Sequence, residues 1–342
     1  MGKTVTALLV FLFALSPAAR TQALFRVMSY NVENLFDTKD NPATDDNEFL
    51  PSGSRRWSES RYYHKLQRIA KVIQAAGEWD TPALIGLCEV ENDTVLTHLL
   101  TRTPLKHQSY RYCISESRDR RGINVALLYQ RDRFGYIGHR SAPVVQQASG
   151  ERAARDILHV WGRLATGDTL DVAVCHFPSK YGGEKESEGR RLDAAKTLRS
   201  LCDSLRHIRR TPHLLLMGDF NDPPESRCMR LVTGDSLVNL FDASRRLDPP
   251  GSHKYQGEWS RLDQIIVSPN LISGSSSLRL IPQSVRLFHP PFLLTKDKTW
   301  RGQRPKRTYY GFTHEAGYSD HLPVIADFSH NKKPLSESEF TE

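Results

Sequence analysis

The sequence predicts an α/β fold in which one sandwich-like domain of strands carries helices packed on the outside. Three observations predict it. Strand-like segments outnumber helical ones, two long helical segments separate groups of strands, and no internal repeat, heptad pattern or composition break divides the chain. The 342 residues are 39% hydrophobic and 25% charged, a balance that supplies a sizeable core and excludes a wholly disordered chain.

Residues 1–23 stand apart. Lys3 precedes the apolar run Ala7-Leu8-Leu9-Val10-Phe11-Leu12-Phe13-Ala14-Leu15, and the small residues Ser16-Pro17-Ala18-Ala19 follow. That order reads as a secretory signal peptide cleaved after Ala18 or Ala23, with a buried N-terminal helix as the alternative. The expectation is an exported protein, periplasmic or secreted. The run falls short of the roughly 20 apolar residues that span a bilayer. No second long apolar run occurs, so no stable membrane insertion is expected once the signal is removed.

Residues 24–29 read as an apolar strand ending at Tyr30-Asn31, and 37–60 as a long polar loop. Residues 61–76 read as a helix, because Leu66, Ile69, Ala70 and Ile73 recur at helical spacing and Gly77 stops it. Residues 83–88 form a continuous apolar run, hence a buried strand, and Asn92 can cap a short helix reaching Leu100. Strands are expected at 110–115, 123–129, 157–164 and 170–177, with Gly167-Asp168 as the hairpin between the last two. Residues 184–209 carry Leu192, Ala195, Leu198, Leu201 and Leu205 on a long amphipathic helix. Strands at 213–217, 264–268 and 323–328 complete a domain over 24–328, and 329–342 read as a polar tail.

Net charge is +8. A basic, exported protein favours polyanions: nucleic acid, phosphorylated small molecules or anionic lipid. Of the five cysteines, Cys88 and Cys175 sit inside apolar runs and read as buried small hydrophobes; no CxxC or Cys/His zinc spacing occurs.

Polar residues recur where the apolar strands end. Asn31 and Glu33 follow the first strand, Glu89 follows 83–88, and His176 ends 170–177. Asp219 and Asn221 follow 213–217, Asp263 opens 264–268, and Ser319-Asp320-His321 precedes 323–328. Singly, each has an ordinary reading: a turn residue, a helix cap or a satisfied core histidine. Together, acids flush against buried strands are costly unless paired or bound to a cation, and they describe a shared pocket at one edge of the sandwich.

Ser29-Tyr30-Asn31-Val32-Glu33-Asn34-Leu35, Glu89-Val90-Glu91-Asn92, Gly218-Asp219-Phe220-Asn221-Asp222, Arg261-Leu262-Asp263-Gln264 and Tyr318-Ser319-Asp320-His321-Leu322-Pro323-Val324 resemble, in order, the motifs of the endonuclease/exonuclease/phosphatase superfamily. The resemblance implies a four-layer, deoxyribonuclease-like α/β fold: a two-sheet β-sandwich flanked by helices on both outer faces. It implies hydrolysis of phosphate esters with Mg²⁺, or Mn²⁺ as a substitute. By resemblance, Glu89 is the main metal-ligating acid, Asn31 supports metal and phosphate, and Asp320 helps hold metal or water. Asp219 and Asn221 orient nucleophile and phosphate. Asp263 orients His321 beside the phosphate, and His176 matches the second histidine of the deoxyribonuclease-like branch. Glu33 stands where abasic endonucleases carry aspartate, which puts a direct metal role for it in doubt.

Substrate choice then falls to the loops. Residues 296–310 are basic and interleaved with Trp300, Tyr309 and Tyr310. Arg301, Arg304, Lys306 and Arg307 are the candidate substrate-binding residues, since cations suit phosphates and rings suit bases. Arg118, Arg120 and Arg121 form a second basic cluster. The leading expectation is a nuclease with nucleic acid as substrate. A phosphatase or phosphodiesterase on small molecules or lipid head groups is the alternative, and a non-catalytic binding module on the same scaffold is a third.

Overall fold

The computed structural model describes residues 24–146, 155–180, 182–242, 244–273 and 276–330. The expected signal peptide and most of the expected tail lie outside the described residues.

In chain order the elements are β1 (Leu24–Leu35), α1 (Glu59–Gly77), β2 (Leu84–Val90), α2 (Asp93–Thr101), β3 (Tyr110–Ile114), β4 (Asn124–Gln130), β5 (Phe134–Ala142), β6 (Ile157–Leu164), β7 (Thr169–His176), α3 (Glu184–Ile208), β8 (His213–Asp219) and α4 (Arg227–Thr233). Then come β9 (Val238–Asn239), β10 (His253–Tyr255), β11 (Glu258–Ser260), β12 (Asp263–Val267), α5 (Asn270–Ser273), β13 (Leu278–Leu280), β14 (Arg286–Leu287), β15 (Leu294–Lys296), β16 (Gln303–Pro305), β17 (Tyr309–Tyr310), β18 (Thr313–His314) and β19 (Val324–His330). One sheet runs β13-β19-β1-β2-β4-β3, with β14 also on β19; the other runs β5-β6-β7-β8-β12-β9.

Each strand pays out side chains alternately to its two faces. Val27, Leu84 and Val125 of one sheet meet Val172, Val174, Leu215, Met217 and Ile265 of the other in a shared core. The opposite faces take the helices. Met28, Tyr30, Ile85 and Leu87 pack with Leu66, Ile69 and Ile73 of α1, while Ala173, Leu214 and Leu216 pack with Leu198, Leu201 and Leu205 of α3. The result is the four-layer sandwich the sequence predicts.

Helix ends follow their capping residues. Ser58 accepts from the Arg61 amide at the start of α1, and Asn92 accepts from the Val95 amide at the start of α2. The final strand runs on through Ser329 and His330, which pair with Arg279 and Leu278. The sequence reading assigns those two residues to the tail because they are polar; their place is set by edge pairing with β13, which polarity does not reveal. Of the elements that escape the sequence reading, β5 and α4 are the longest. β5 is an exposed edge strand containing two glycines, so it shows no apolar alternation. α4 has only seven residues.

Topology makes the site. β1 and β2 are parallel, as are β7 and β8, while β12 runs antiparallel to β8 and β19 antiparallel to β1. The carboxyl ends of β1, β2, β7 and β8 therefore share one edge of the sandwich with the amino ends of β12 and β19.

Candidate active site

The ladders fix the first positions. His176, Asp219 and Asp263 lie abreast, because His176 pairs with Asp219 and Asp219 with Asp263. The β1–β2 pairing breaks register just after Asn31, and the β2–β4 pairing just after Cys88. Glu33, Asn34, Glu89 and Asn221 all hold φ between +50° and +65°. Left-handed backbone at four non-glycine residues is costly, and its concentration at strand ends re-aims their side chains. Gly218, at φ +144°, abuts the Cys175 carbonyl so closely that a Cβ would sit 1.9 Å from that oxygen. Only glycine permits β8 to carry Asp219 beside His176.

Asp219 is the centre of the cluster. Asn31 Nδ2 donates to its Oδ2 at 3.0 Å, and the Asn221 amide donates to its Oδ1 at 2.9 Å. The same Oδ2 lies 3.6 Å from His176 Nε2 and 3.9 Å from His321 Nε2. Burial pushes the Asp219 carboxyl up to about 6, with the His321 charge opposing the shift. Asn221 Nδ2 is tied to the Phe177 carbonyl at 2.9 Å.

The two histidines have opposite characters. Burial would lower His321, but the charges of Asp263 and Asp219 outweigh it and hold the imidazole well above its ordinary value. Asp263 Oδ2 lies 2.6 Å from His321 Nδ1 and also accepts from the Ser252 hydroxyl at 2.6 Å. His321 is thus an imidazolium with Nδ1–H fixed toward Asp263, which turns Nε2 toward Asp219. Burial depresses His176 well below its ordinary value, and the cationic Arg155, Arg121 and His321 add to the effect. His176 is a neutral ring whose Nδ1 has no hydrogen-bond partner among the described residues.

The oxygen donors suited to a divalent cation are Glu89, Asp320 and the side-chain oxygen of Asn31. Glu89 Oε2 accepts from the Asn34 amide at 2.8 Å, while Oε1 stands 3.9 Å from His176 Nε2. Among the described residues no group donates a hydrogen bond to the Asp320 carboxylate. Its nearest basic neighbours are Arg307 at 3.9 Å and His253 Nε2 at 4.0 Å. Burial would raise Asp320, yet the charges of His321, Arg307 and His253 hold it below the ordinary carboxylate value. A half-buried carboxylate kept ionised, with no hydrogen-bond donor among the described residues, fits a hard cation such as Mg²⁺.

Glu33 has another task. Its carboxylate accepts from the Thr308 amide at 2.6 Å and the Tyr309 amide at 3.4 Å. Lys65 of α1 lies 3.8 Å away and donates to Thr308 Oγ1 at 2.5 Å and the Tyr318 carbonyl at 2.8 Å. Together they tie the basic loop to the floor of the site.

The four loop cations diverge. Arg307 reaches Asp320 and Lys306 is half-buried beside it in the chain. Arg301 is exposed. Arg304 is not free for substrate: it is buried, paired with Glu315 at 2.5 Å and set over the Tyr310 ring. Its surroundings give it a structural role, which charge and position in the loop alone did not separate from Arg307. In the second cluster, Arg121 touches Asn34 Oδ1 at 3.4 Å, whereas Arg120 is an exposed partner of Asp45.

Sequence reasoning missed His253, Ser252 and Arg155. His253 opens β10 and forms an isolated bridge to His321, with ring centroids 4.7 Å apart. The available signal was Gln256-Gly257, both at positive φ between two short strands, a tight-hairpin turn just upstream of Asp263. Arg155 donates to the Phe177 carbonyl at 3.0 Å and pairs with Asp119.

Residues 26–330 match the model of the Endonuclease/Exonuclease/phosphatase family. The chain belongs to this family. Members of this family hydrolyse phosphate ester bonds and generally depend on a divalent metal. Among curated relatives it is similar to nocturnin of Rattus norvegicus, 26% identical over 179 residues, 49% of this chain and 36% of that protein. The chain therefore spans about a third of that relative's length. A Bacteroides thetaiotaomicron endonuclease/exonuclease/phosphatase family protein shares the fold at TM-score 0.57 and 17% identity, over 91% of this chain and 99% of that one. A mannosyl-6-phosphatase from the same organism does so at TM-score 0.55 and 17% identity, over 89% and 99%.

Proposed function

We propose that this chain is an exported, Mg²⁺-dependent nuclease that cleaves phosphodiester bonds in single-stranded or frayed nucleic acid. The observation that carries the substrate is the rim beside Asp320. Arg307, within 3.9 Å of Asp320, also lies 5.8 Å from the centre of the Tyr310 ring, and its Nε has no hydrogen-bond partner among the described residues. The Tyr310 hydroxyl meets Thr299 Oγ1 at 3.3 Å. The next residue, half-exposed Trp300, packs against Gly257 at the turn of the β10–β11 hairpin. Tyr255 of that hairpin is exposed, as is Phe312. Cations for backbone phosphates interleaved with rings for bases suit a flexible polynucleotide.

The chemistry follows from the protonation states. The ionised Asp219 takes a proton from the attacking water, with Asn31 and the Asn221 amide holding the carboxylate in place. His321, kept cationic by Asp263, donates Nε2–H to a phosphate oxygen and stabilises the charge that grows there. His176, neutral, contributes a second donor without adding charge. Glu89, Asp320 and Asn31 would hold Mg²⁺, which supplies charge neutralisation at the phosphate oxygens and the departing oxygen. The apolar run and small-residue exit before Leu24 support export.

The test is a panel of single-stranded DNA, RNA, plasmid, sugar phosphates and phospholipids, each with Mg²⁺, Mn²⁺ and chelator. Cleavage of the single strands, abolished by chelator, is expected. Phosphate release from sugar phosphates with intact oligonucleotides would instead make it a small-ester phosphatase. N-terminal sequencing of the exported product is expected to start at Ala19 or Leu24.

A further inference from the structure

We infer that His253, Asp320 and His321 form a second metal site, selective for Zn²⁺ or a similar borderline transition-metal ion, whose occupation shuts the hydrolase down. The inhibitory consequence rests on the reading of Asp320 and His321 given above; the binding itself does not. The motifs shared with the family contain Asp320 and His321, but His253 lies outside them, on a hairpin of its own.

The geometry is that of a nearly assembled site. One ligand atom from each of the three residues lies within 4.8 Å of the others. His253 Nε2 stands 4.0 Å from Asp320 Oδ2. Zinc–nitrogen bonds of about 2.0–2.1 Å put tetrahedral ligands about 3.4 Å apart, so the closure needed is on the order of 1 Å. The bridge between His253 and His321, with the Leu322 amide donating to the Ser252 carbonyl at 2.8 Å, keeps the two imidazoles side by side as the carboxylate approaches. Asp263 already occupies His321 Nδ1 at 2.6 Å, leaving Nε2 as the ligating nitrogen. A carboxylate behind a ligating histidine is the usual outer support of zinc sites.

Donor chemistry sets the selectivity. Two imidazoles and one carboxylate favour zinc, cobalt or copper, whereas Mg²⁺ prefers oxygen donors and retained water. A rival grouping, Asp219, Asp263 and His321, also brings its ligand atoms together. It offers one imidazole, and both its carboxylates already hold hydrogen bonds, Asp219 from Asn31 and Asn221, Asp263 from Ser252. When Zn²⁺ enters the proposed site it takes the place of the Nε2 proton of His321, which leaves to solvent. The phosphate then loses its imidazolium donor, and Mg²⁺ loses Asp320.

The experiment uses the full chain freed of metal. Zn²⁺ binding is measured by calorimetry, and Co²⁺ binding by its visible absorption, for wild type, His253→Phe and His253→Asn. His253→Phe keeps a ring against His321 and removes the ligand atom. The expected result is one tight site in wild type, weakened at least about 10-fold in both variants, with loss of the cobalt band. With the Mg²⁺-supported turnover of each protein without Zn²⁺ as its own reference, Zn²⁺ inhibition of His253→Phe is expected to shift to at least about 10-fold higher concentration. The inference is overturned if wild type binds no Zn²⁺, or if folded variants bind it as tightly as wild type. If no nucleic acid is cleaved but the His253-dependent site is present, the substrate reading fails and this one stands.

Discussion

His321 sits between two carboxylates, and its chemistry depends on both. Asp263 holds Nδ1 at 2.6 Å, while Asp219 faces Nε2 at 3.9 Å. Asp263→Asn keeps the shape and removes the charge that sustains the imidazolium. Turnover is expected to fall about 10²-fold or more with the fold intact, checked by steady-state kinetics beside circular dichroism. Asp219 sets the acid side of the pH profile. Its carboxyl is raised to about 6, chiefly by burial, and it must be ionised to accept a proton. Activity therefore rises with pH through about 6 at low Mg²⁺. A cation near the carboxylates favours their charged form, so the limb is expected to move to lower pH as Mg²⁺ is raised. A flat profile from pH 5 to 8 would contradict Asp219 as the base.

At the scale of elements, two buried devices hold the site edge in place. Gly218 permits the close β7–β8 approach, and its φ of +144° excludes a side chain. Gly218→Ala is expected to cost more than about 2 kcal/mol in chemical denaturation and to lower activity with it. Lys65, buried in α1, joins Glu33 to Thr308 and Tyr318. Lys65→Met leaves the Glu33 carboxylate buried without its cation, an expected loss of about 3 kcal/mol, with KM for an oligonucleotide rising as the basic loop loosens. The contrast among elements shows what the sequence could carry. β2, β8 and β12 are buried, largely aliphatic runs with an acidic residue at or next to one end, so both the strands and the site residues at their ends were legible. β5 and β10 were not, because an exposed edge strand and a three-residue strand show no apolar pattern. His253 was hidden with β10. Arg304 and Arg307 looked alike because a buried partner such as Glu315 is a tertiary fact.

At the scale of the molecule, the four layers hold together through polar ties as well as core. Asp171 on β7 meets His159 on β6 at 2.9 Å and Arg209, just beyond α3, at 2.9 Å. Burial would raise the Asp171 carboxyl, but hydrogen bonds from His159 and Arg209 outweigh it and hold it below the ordinary value. A depressed carboxylate stabilises the fold above its unfolded pKa and loses that effect as pH falls through the folded one. Asp171→Asn is thus expected to be less stable than wild type at pH 7, with the gap closing below about pH 4 in denaturant titrations. Metal acts on the whole fold by mass action. At 100 times its dissociation constant, Mg²⁺ is expected to add about 2.7 kcal/mol, reversed by chelator and absent from a Glu89→Gln, Asp320→Asn double variant.

The most direct measurement is the Mg²⁺-dependent cleavage rate of a labelled single-stranded oligonucleotide by wild type and His321→Ala, with and without chelator. Cleavage by wild type that chelator abolishes is expected, with a fall of about 10²–10⁴-fold in the variant. Equal rates for the two proteins, or cleavage indifferent to chelator, would contradict that expectation.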